Sequence, residues 1–325
     1  MDKVNSDTYL GDIISVDGRN TPNVDSRTSK ALGIVAAIFD ILKHVMFGRH
    51  YFSVALLLRD MLLVNGILTN SEVWFGLRWG EIRKLEEVDK IFMRRLFRVP
   101  NSCPSEAFYL ETGCIPISYK IKARRIQYLH HLATRKENEL LSKVFHAQWQ
   151  CPIKNDWTLQ VKEDLLELGL EIDLNWIKSF KKYKFKELIK TSVREAAFRS
   201  LLDKKGKYSK LKDLNYIQLE AQEYLKNMDI TANQARILFK YRTRMSNYWQ
   251  NFKGGLEEIT CKVCKEVETV DSQKHFLECR VAKKSLNVDI VYQHIFTKVT
   301  PSLARSLERI ELFRIEYLNW VDSSK

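Results

Sequence analysis

Between Pro152 and Pro301 the chain runs without a proline, and its 325 residues include only 6 prolines and 12 glycines. Average chains carry roughly 5% and 7% of these two residues. β-Sandwiches, β-barrels and doubly wound nucleotide folds reverse direction every few residues and depend on such turn formers. Their shortage leaves a mainly α-helical protein. With 45% hydrophobic residues the chain can build true cores, and at roughly 150 residues per domain its length fits about two domains.

Helical periodicity can be followed along the chain. Residues 1–24 read as a short extended piece, TYLGDIIS, then a turn through Asp17, Gly18 and Arg19 and a loop ending near Pro22. Ser26 or Ser29 is expected to cap a helix reaching Met46, with Leu32, Val35, Ile38, Phe39 and Leu42 on its inner stripe. Residues 51–67 are apolar nearly all round, which marks a central, buried helix. An amphipathic helix over 79–99, stopped by Pro100, turns Ile82, Leu85, Val88, Phe92 and Leu96 inward and leaves Glu86, Glu87 and Asp89 as solvated charge. Helices at 105–110 and 117–135 complete a bundle. A linker opens at Cys151 and Pro152, followed by a helix capped by Asp156 and ended by Gly169.

The opening MDKVNSDTYLG has no basic segment with an apolar run behind it, so no secretory signal is expected. The most apolar run, residues 54–68, is interrupted by Arg59 and Asp60 and is too short to span a bilayer. The expected setting is intracellular, nuclear or cytoplasmic, with no membrane partner. Cys103, Cys114 and Cys151 are scattered singly, which does not make a disulfide framework.

The other three cysteines cluster as Cys261-x2-Cys264-x10-His275-x3-Cys279. Two thiolates two residues apart sit on a tight turn, and a His and a Cys four apart project from one side of a helical turn. Four such soft ligands close a tetrahedron around Zn²⁺ and leave no position for water, so the expected role is structural. Gly254 and Gly255 supply a flexible entry.

Charge is the second signal. The chain carries a formal +13, of which residues 178–212 contribute +10 and residues 231–253 a further +5. In the first stretch Phe180, Tyr183, Phe185, Phe198 and Tyr208 lie among the cations, including Lys181, Lys182, Lys184 and Lys186. Cations interleaved with aromatics suit a phosphate backbone with unstacked bases; a solvated helix with an aromatic inner stripe gives the same pattern. Arg236, Lys240 and Arg244 recur every fourth residue and are expected to make one positive face. Lys120, Lys122, Arg124 and Arg125 surround the apolar stripe of an earlier helix, with His130 and His131 after them as either phosphate contacts or half-buried structural residues.

Catalytic signatures are missing. The sequence has no adjacent Asp pair, no G-x-x-x-x-G-K loop, no G-x-S-x-G elbow and no G-x-G-x-x-G turn.

Taken in order, TYLGDIIS (8–15), ILTNSEVWFGL (67–77), LEEVDKIFMRRLF (85–97), FYLETGCIPISYKIKARRIQYLHHL (108–132), KYRTRMSNYWQNFK (240–253) and the Cys-Cys-His-Cys element resemble the LINE-type (non-LTR) retrotransposon reverse transcriptases, in particular the site-specific class that carries a zinc knuckle and a restriction-like endonuclease. The resemblance implies a palm remnant at 1–24 with Tyr9, Leu10 and Gly11 matching the primer grip, and a thumb-like helical bundle at 25–150. It further implies a basic helical linker domain at 151–253, a zinc knuckle at 254–284 and C-terminal helices at 285–325. Fingers and the metal-binding Asp pair would lie before residue 1, and no Pro-Asp plus Lys endonuclease signature follows Arg280. The resemblance therefore implies a nucleic-acid-binding part of a retrotransposon RNA-directed DNA polymerase, with RNA or DNA as partner and without either active centre. The alternative is a zinc-stapled helical protein-interaction module whose positive face meets an acidic protein. Thumb helices that expose the apolar side of residues 51–67 would favour self-association.

Overall fold

Apolar residues three and four positions apart produce helices along most of the chain. The computed structural model describes residues 6–9, 12–44, 50–153, 156–252, 260–266, 269–288 and 290–323. A hairpin comes first: β1 (Ser6–Tyr9) pairs antiparallel with β2 (Asp12–Ser15), Ser6 opposite Ser15 and Tyr9 opposite Asp12. Then follow α1 (Thr21–Lys43) and α2 (Tyr51–Leu58), a π-helical turn (Arg59–Val64) that runs into α3 (Asn65–Ile67), α4 (Trp79–Phe97), α5 (Ser105–Thr112), α6 (Ile117–Ala133) and α7 (Leu140–Gln150). The second half holds α8 (Trp157–Glu167), α9 (Leu174–Ser179), α10 (Lys182–Lys205), α11 (Glu223–Lys226), α12 (Ala232–Arg242) and α13 (Trp249–Phe252). It closes with α14 (Gln273–Glu278), α15 (Arg280–Leu286), α16 (His294–Thr297) and α17 (Pro301–Ser323). The protein is mainly helical. Among the described residues no helix is long and apolar enough to cross a membrane.

Two compact units form, each from three separate stretches. The first combines Met1–Phe39, Leu57–Phe92 and Ile115–Leu201; the second combines Asp40–Leu56, Met93–Cys114 and Leu202–Lys325.

Within the first unit α6 is the axis, burying Ile117, Ile121, Ile126 and Leu129 and packing against α7, α8, α9 and the Ser71–Val73 turn. Two buried ion pairs tie this unit together. Arg59 donates Nε and Nη2 to the two carboxylate oxygens of Asp89 (2.7 and 2.6 Å), both side chains being fully buried. Arg125 grips Asp164 in the same bidentate way (2.7 and 3.0 Å) and also donates to the Trp74 carbonyl. The hairpin is anchored through Asp12, which accepts from Asn23, Arg27 and Asn70.

Four local expectations change in this unit. Helix α1 begins at Thr21, with Pro22 in its first turn, where a missing N–H costs nothing and the fixed φ suits the helix. Leu32 on α1 is 46% exposed, and Ala31 takes the inner position instead. Residues 51–67 are not buried all round: Leu57, Met61 and Leu62 face solvent, because the π-turn faces Arg59, Leu63 and Val64 inward. Asp89 is not solvated charge but the buried partner of Arg59.

The second unit is built on stacked rings. Phe239 lies 3.9 Å from Phe97 and 5.8 Å from Phe108, and Phe52 packs on Phe97 at 5.1 Å. Beside them sits a buried polar network. The Glu111 carboxylate accepts from Arg242 Nε (3.0 and 3.1 Å), from Tyr216 Oη (2.6 Å) and from Tyr224 Oη (2.8 Å). Burial alone would push the Arg242 guanidinium toward losing its proton, and the adjacent Glu111 carboxylate more than reverses this. Just after α5 the chain needs glycine: Gly113 has φ +68°, and a Cβ there would come within 2.5 Å of the Ala221 nitrogen. Helix α17 packs along α12 and α15.

Candidate functional site

The Cys-x2-Cys pair closes a tight turn because the Cys261 N–H donates to the Thr269 carbonyl (2.9 Å) and the Lys265 N–H to the Cys261 carbonyl (2.9 Å), with Lys265 at φ +55°. Ser272 caps α14 by accepting from the His275 N–H (3.0 Å), so His275 lies in the first turn and Cys279 at the C-cap. Half-buried His275 and Cys264 thereby meet buried Cys261 and Cys279. One ligand atom from each of the four lies within 4.8 Å of the others, and Cys264 Sγ is 3.4 Å from His275 Nε2. Bond lengths of about 2.0–2.3 Å to a tetrahedral ion place ligand atoms roughly 3.3–3.8 Å apart. The cluster can hold a metal ion.

The surroundings act in opposite senses on the two thiols of the turn. Burial pushes the Cys261 thiol up to about 12, against the pull of hydrogen bonds from the Cys264 and Val263 N–H groups. At Cys264 burial acts in the same sense but is outweighed by the Glu266 N–H and the Thr269 hydroxyl, and its thiol is lowered. Helix α17 braces the centre from outside. Arg314 holds Asp271 through both carboxylate oxygens (3.0 and 2.9 Å) and lies over the Tyr248 ring at 4.2 Å, while Tyr317 Oη donates to the Val263 carbonyl (3.3 Å). The ligand spacing gave no sign of these supports. Arg314 and Asp271 are 43 residues apart, and no local pattern links them.

The basic residues separate into two groups. On α6, Lys120 donates to Asp60 (2.7 Å), Lys122 to Glu167, Arg124 to the Leu68 carbonyl and Asn65 Oδ1, and Arg125 is buried on Asp164. Arg236, Lys240 and Arg244 do not form one outward face. Arg236 is 4% exposed, donates to the Leu96 carbonyl (2.9 Å) and covers the Tyr51 ring at 4.8 Å. Lys240 is half-buried near Glu311, and Arg244, past the end of α12 at φ +54°, pairs with Asp213. By contrast Lys181, Lys182, Lys184 and Lys186 are all exposed and form no ion pair among the described residues.

Aromatic residues of the basic stretch divide the same way. Phe185 is buried under the His130 ring (4.7 Å), Phe180 packs against Trp176 and Phe185, and Tyr183 stands 62% exposed. His130 Nε2 donates to the Phe180 carbonyl (3.0 Å), a structural role, whereas His131 stays exposed beside Tyr128 and Arg135. Of the primer-grip-like residues, Tyr9 ends β1, while Leu10 and Gly11 lie outside the described residues, as do Gly254 and Gly255. No family model, curated protein or solved structure matches the chain.

Proposed function

We propose that this chain binds nucleic acid through the lysines that open α10, with Zn²⁺ held by Cys261, Cys264, His275 and Cys279 as a structural staple. The observation that carries the reading is the run Lys181, Lys182, Lys184 and Lys186, exposed and without an acidic partner among the described residues. A row of unneutralised cations attracts a polyanion and gains free energy by releasing its condensed counterions. Of the other basic residues singled out in the sequence, Lys240 is half-buried near Glu311 and the rest are engaged in ion pairs, carbonyl contacts or ring contacts, which narrows the proposed phosphate-binding face to this run. The resemblance to non-LTR reverse transcriptases supports the same assignment, with the chain acting as thumb and linker of an RNA-directed DNA polymerase. Four protein ligands leave a zinc ion no open position, so the metal supplies folding energy and not chemistry.

The test is binding of the full chain to a nucleic acid at several salt concentrations. The logarithm of the affinity should fall linearly with the logarithm of salt, by roughly 0.7–0.9 per phosphate neutralised. Reversing the four lysines to glutamate should weaken binding to every sequence alike and flatten that slope; unchanged affinity at two salt concentrations would refute the reading. A protein-interaction module is the second reading, favoured by the exposed Leu312, Ile315 and Trp320 of α17. It predicts partners that survive nuclease treatment.

A further inference from the structure

Within the proposed nucleic-acid face, and resting on that reading, we infer that the ligand is a single strand, gripped by stacking of a base on Tyr183 between lysines that hold its phosphates. Tyr183 is the second residue of α10 and has no ring, hydrogen-bond or ion partner among the described residues, although it is 62% exposed. Its aromatic neighbours are all engaged: Trp176, Phe180, Phe185 and His130 pack on one another and fix the corner between α9 and α10. The Tyr183 ring is thus left over from a cluster that has already closed.

Helical spacing of three and seven residues sets Tyr183, Lys186 and Lys190 on one face, with Lys182 one turn before Lys186. Lys190 is partly occupied by Glu187 at 3.5 Å, which leaves Lys182 and Lys186 as the free cations flanking the ring. A flat ring set between cations recognises a base face and the phosphates on either side of it, independent of sequence. In a duplex the base faces are covered by their neighbours, so such a ring can contribute only to a strand whose bases are unstacked. A plain duplex-binding surface needs the lysines and has no use for the tyrosine.

The experiment compares the full chain, by fluorescence anisotropy, on a labelled single-stranded 15-mer and on its duplex at one salt concentration. The single strand should bind more tightly than the duplex. Tyr183→Ala should weaken single-strand binding roughly ten-fold, Tyr183→Phe should retain it, and neither should change duplex binding. The ring is solvent-exposed, so both variants should keep the fold, and far-ultraviolet circular dichroism is the check. Equal affinity for strand and duplex, or no loss in Tyr183→Ala, overturns the stacking inference while salt-dependent binding leaves the broader reading standing. Absence of salt-dependent binding to either form overturns both.

Discussion

At the residue scale the buried charges of each unit act as fasteners, and their worth lies in being paired. Glu111 accepts four hydrogen bonds from three side chains drawn from sequence positions more than 100 residues away. Removing it strands the Arg242 guanidinium, 3% exposed, in a low-dielectric interior. Glu111→Ala should therefore lower unfolding stability by about 3–5 kcal/mol, measured by urea denaturation of the whole chain. Glu111→Gln keeps an acceptor for the tyrosines and should cost less. A loss in Glu111→Ala no larger than that of an ordinary surface substitution would mean that the network does not form. None of this was visible locally. Nothing near Glu111 or Arg242 in the sequence links the two, and Asp89, placed by its neighbours Glu86 and Glu87 on a polar face, turned out to be the partner of a fully buried Arg59. A charge looks solvated in sequence whenever its partner comes from another stretch of chain.

At the scale of the element, α10 is at odds with its own local physics. The positive end of the helix dipole favours acids in the first turn, yet none occurs there and lysines occupy it. Natural helices tolerate such a conflict where function requires it. Replacing Lys182 and Lys184 by glutamate should thus stabilise the helix by roughly 0.3–1 kcal/mol each, read as a rise in Tm, while nucleic-acid binding falls. A drop in Tm alongside the lost binding would mean that the lysines serve the fold. Periodicity located α1, α4 and α6, and on α4 Leu85, Val88, Phe92 and Leu96 are buried as their spacing requires, whereas residues 178–212 stood out by charge and not by pattern. It failed at residues 51–67, where the π-turn breaks the 3.6-residue repeat on which the pattern rests.

At the scale of the whole molecule, the Cys-Cys-His-Cys cluster and the packing of α17 meet in the second unit. The loop carrying Cys261 and Cys264 has little apolar core of its own and is held by Arg314 and Tyr317 of α17. The purified chain should contain one zinc ion per chain by elemental analysis. Chelation should speed amide exchange first at residues 260–286 and then along α17 near residue 314, and restoring zinc should reverse it. Exchange unaffected by the chelator would remove the metal from the account of the fold. Sequence alone determined the helical class, through its lack of turn formers and its apolar spacing. It also picked out the four residues that cluster as a candidate metal site, because Cys-x2-Cys and His-x3-Cys are each short enough for a turn or one helical turn to bring both side chains together. Which cations stay free was decided only by the tertiary structure. Lys122, Arg125, Arg236 and Lys186 are alike as isolated residues; distant parts of the chain bring an acid, a carbonyl or a ring to the first three and leave the last exposed, since neutralisation depends on partners that folding, not local order, supplies.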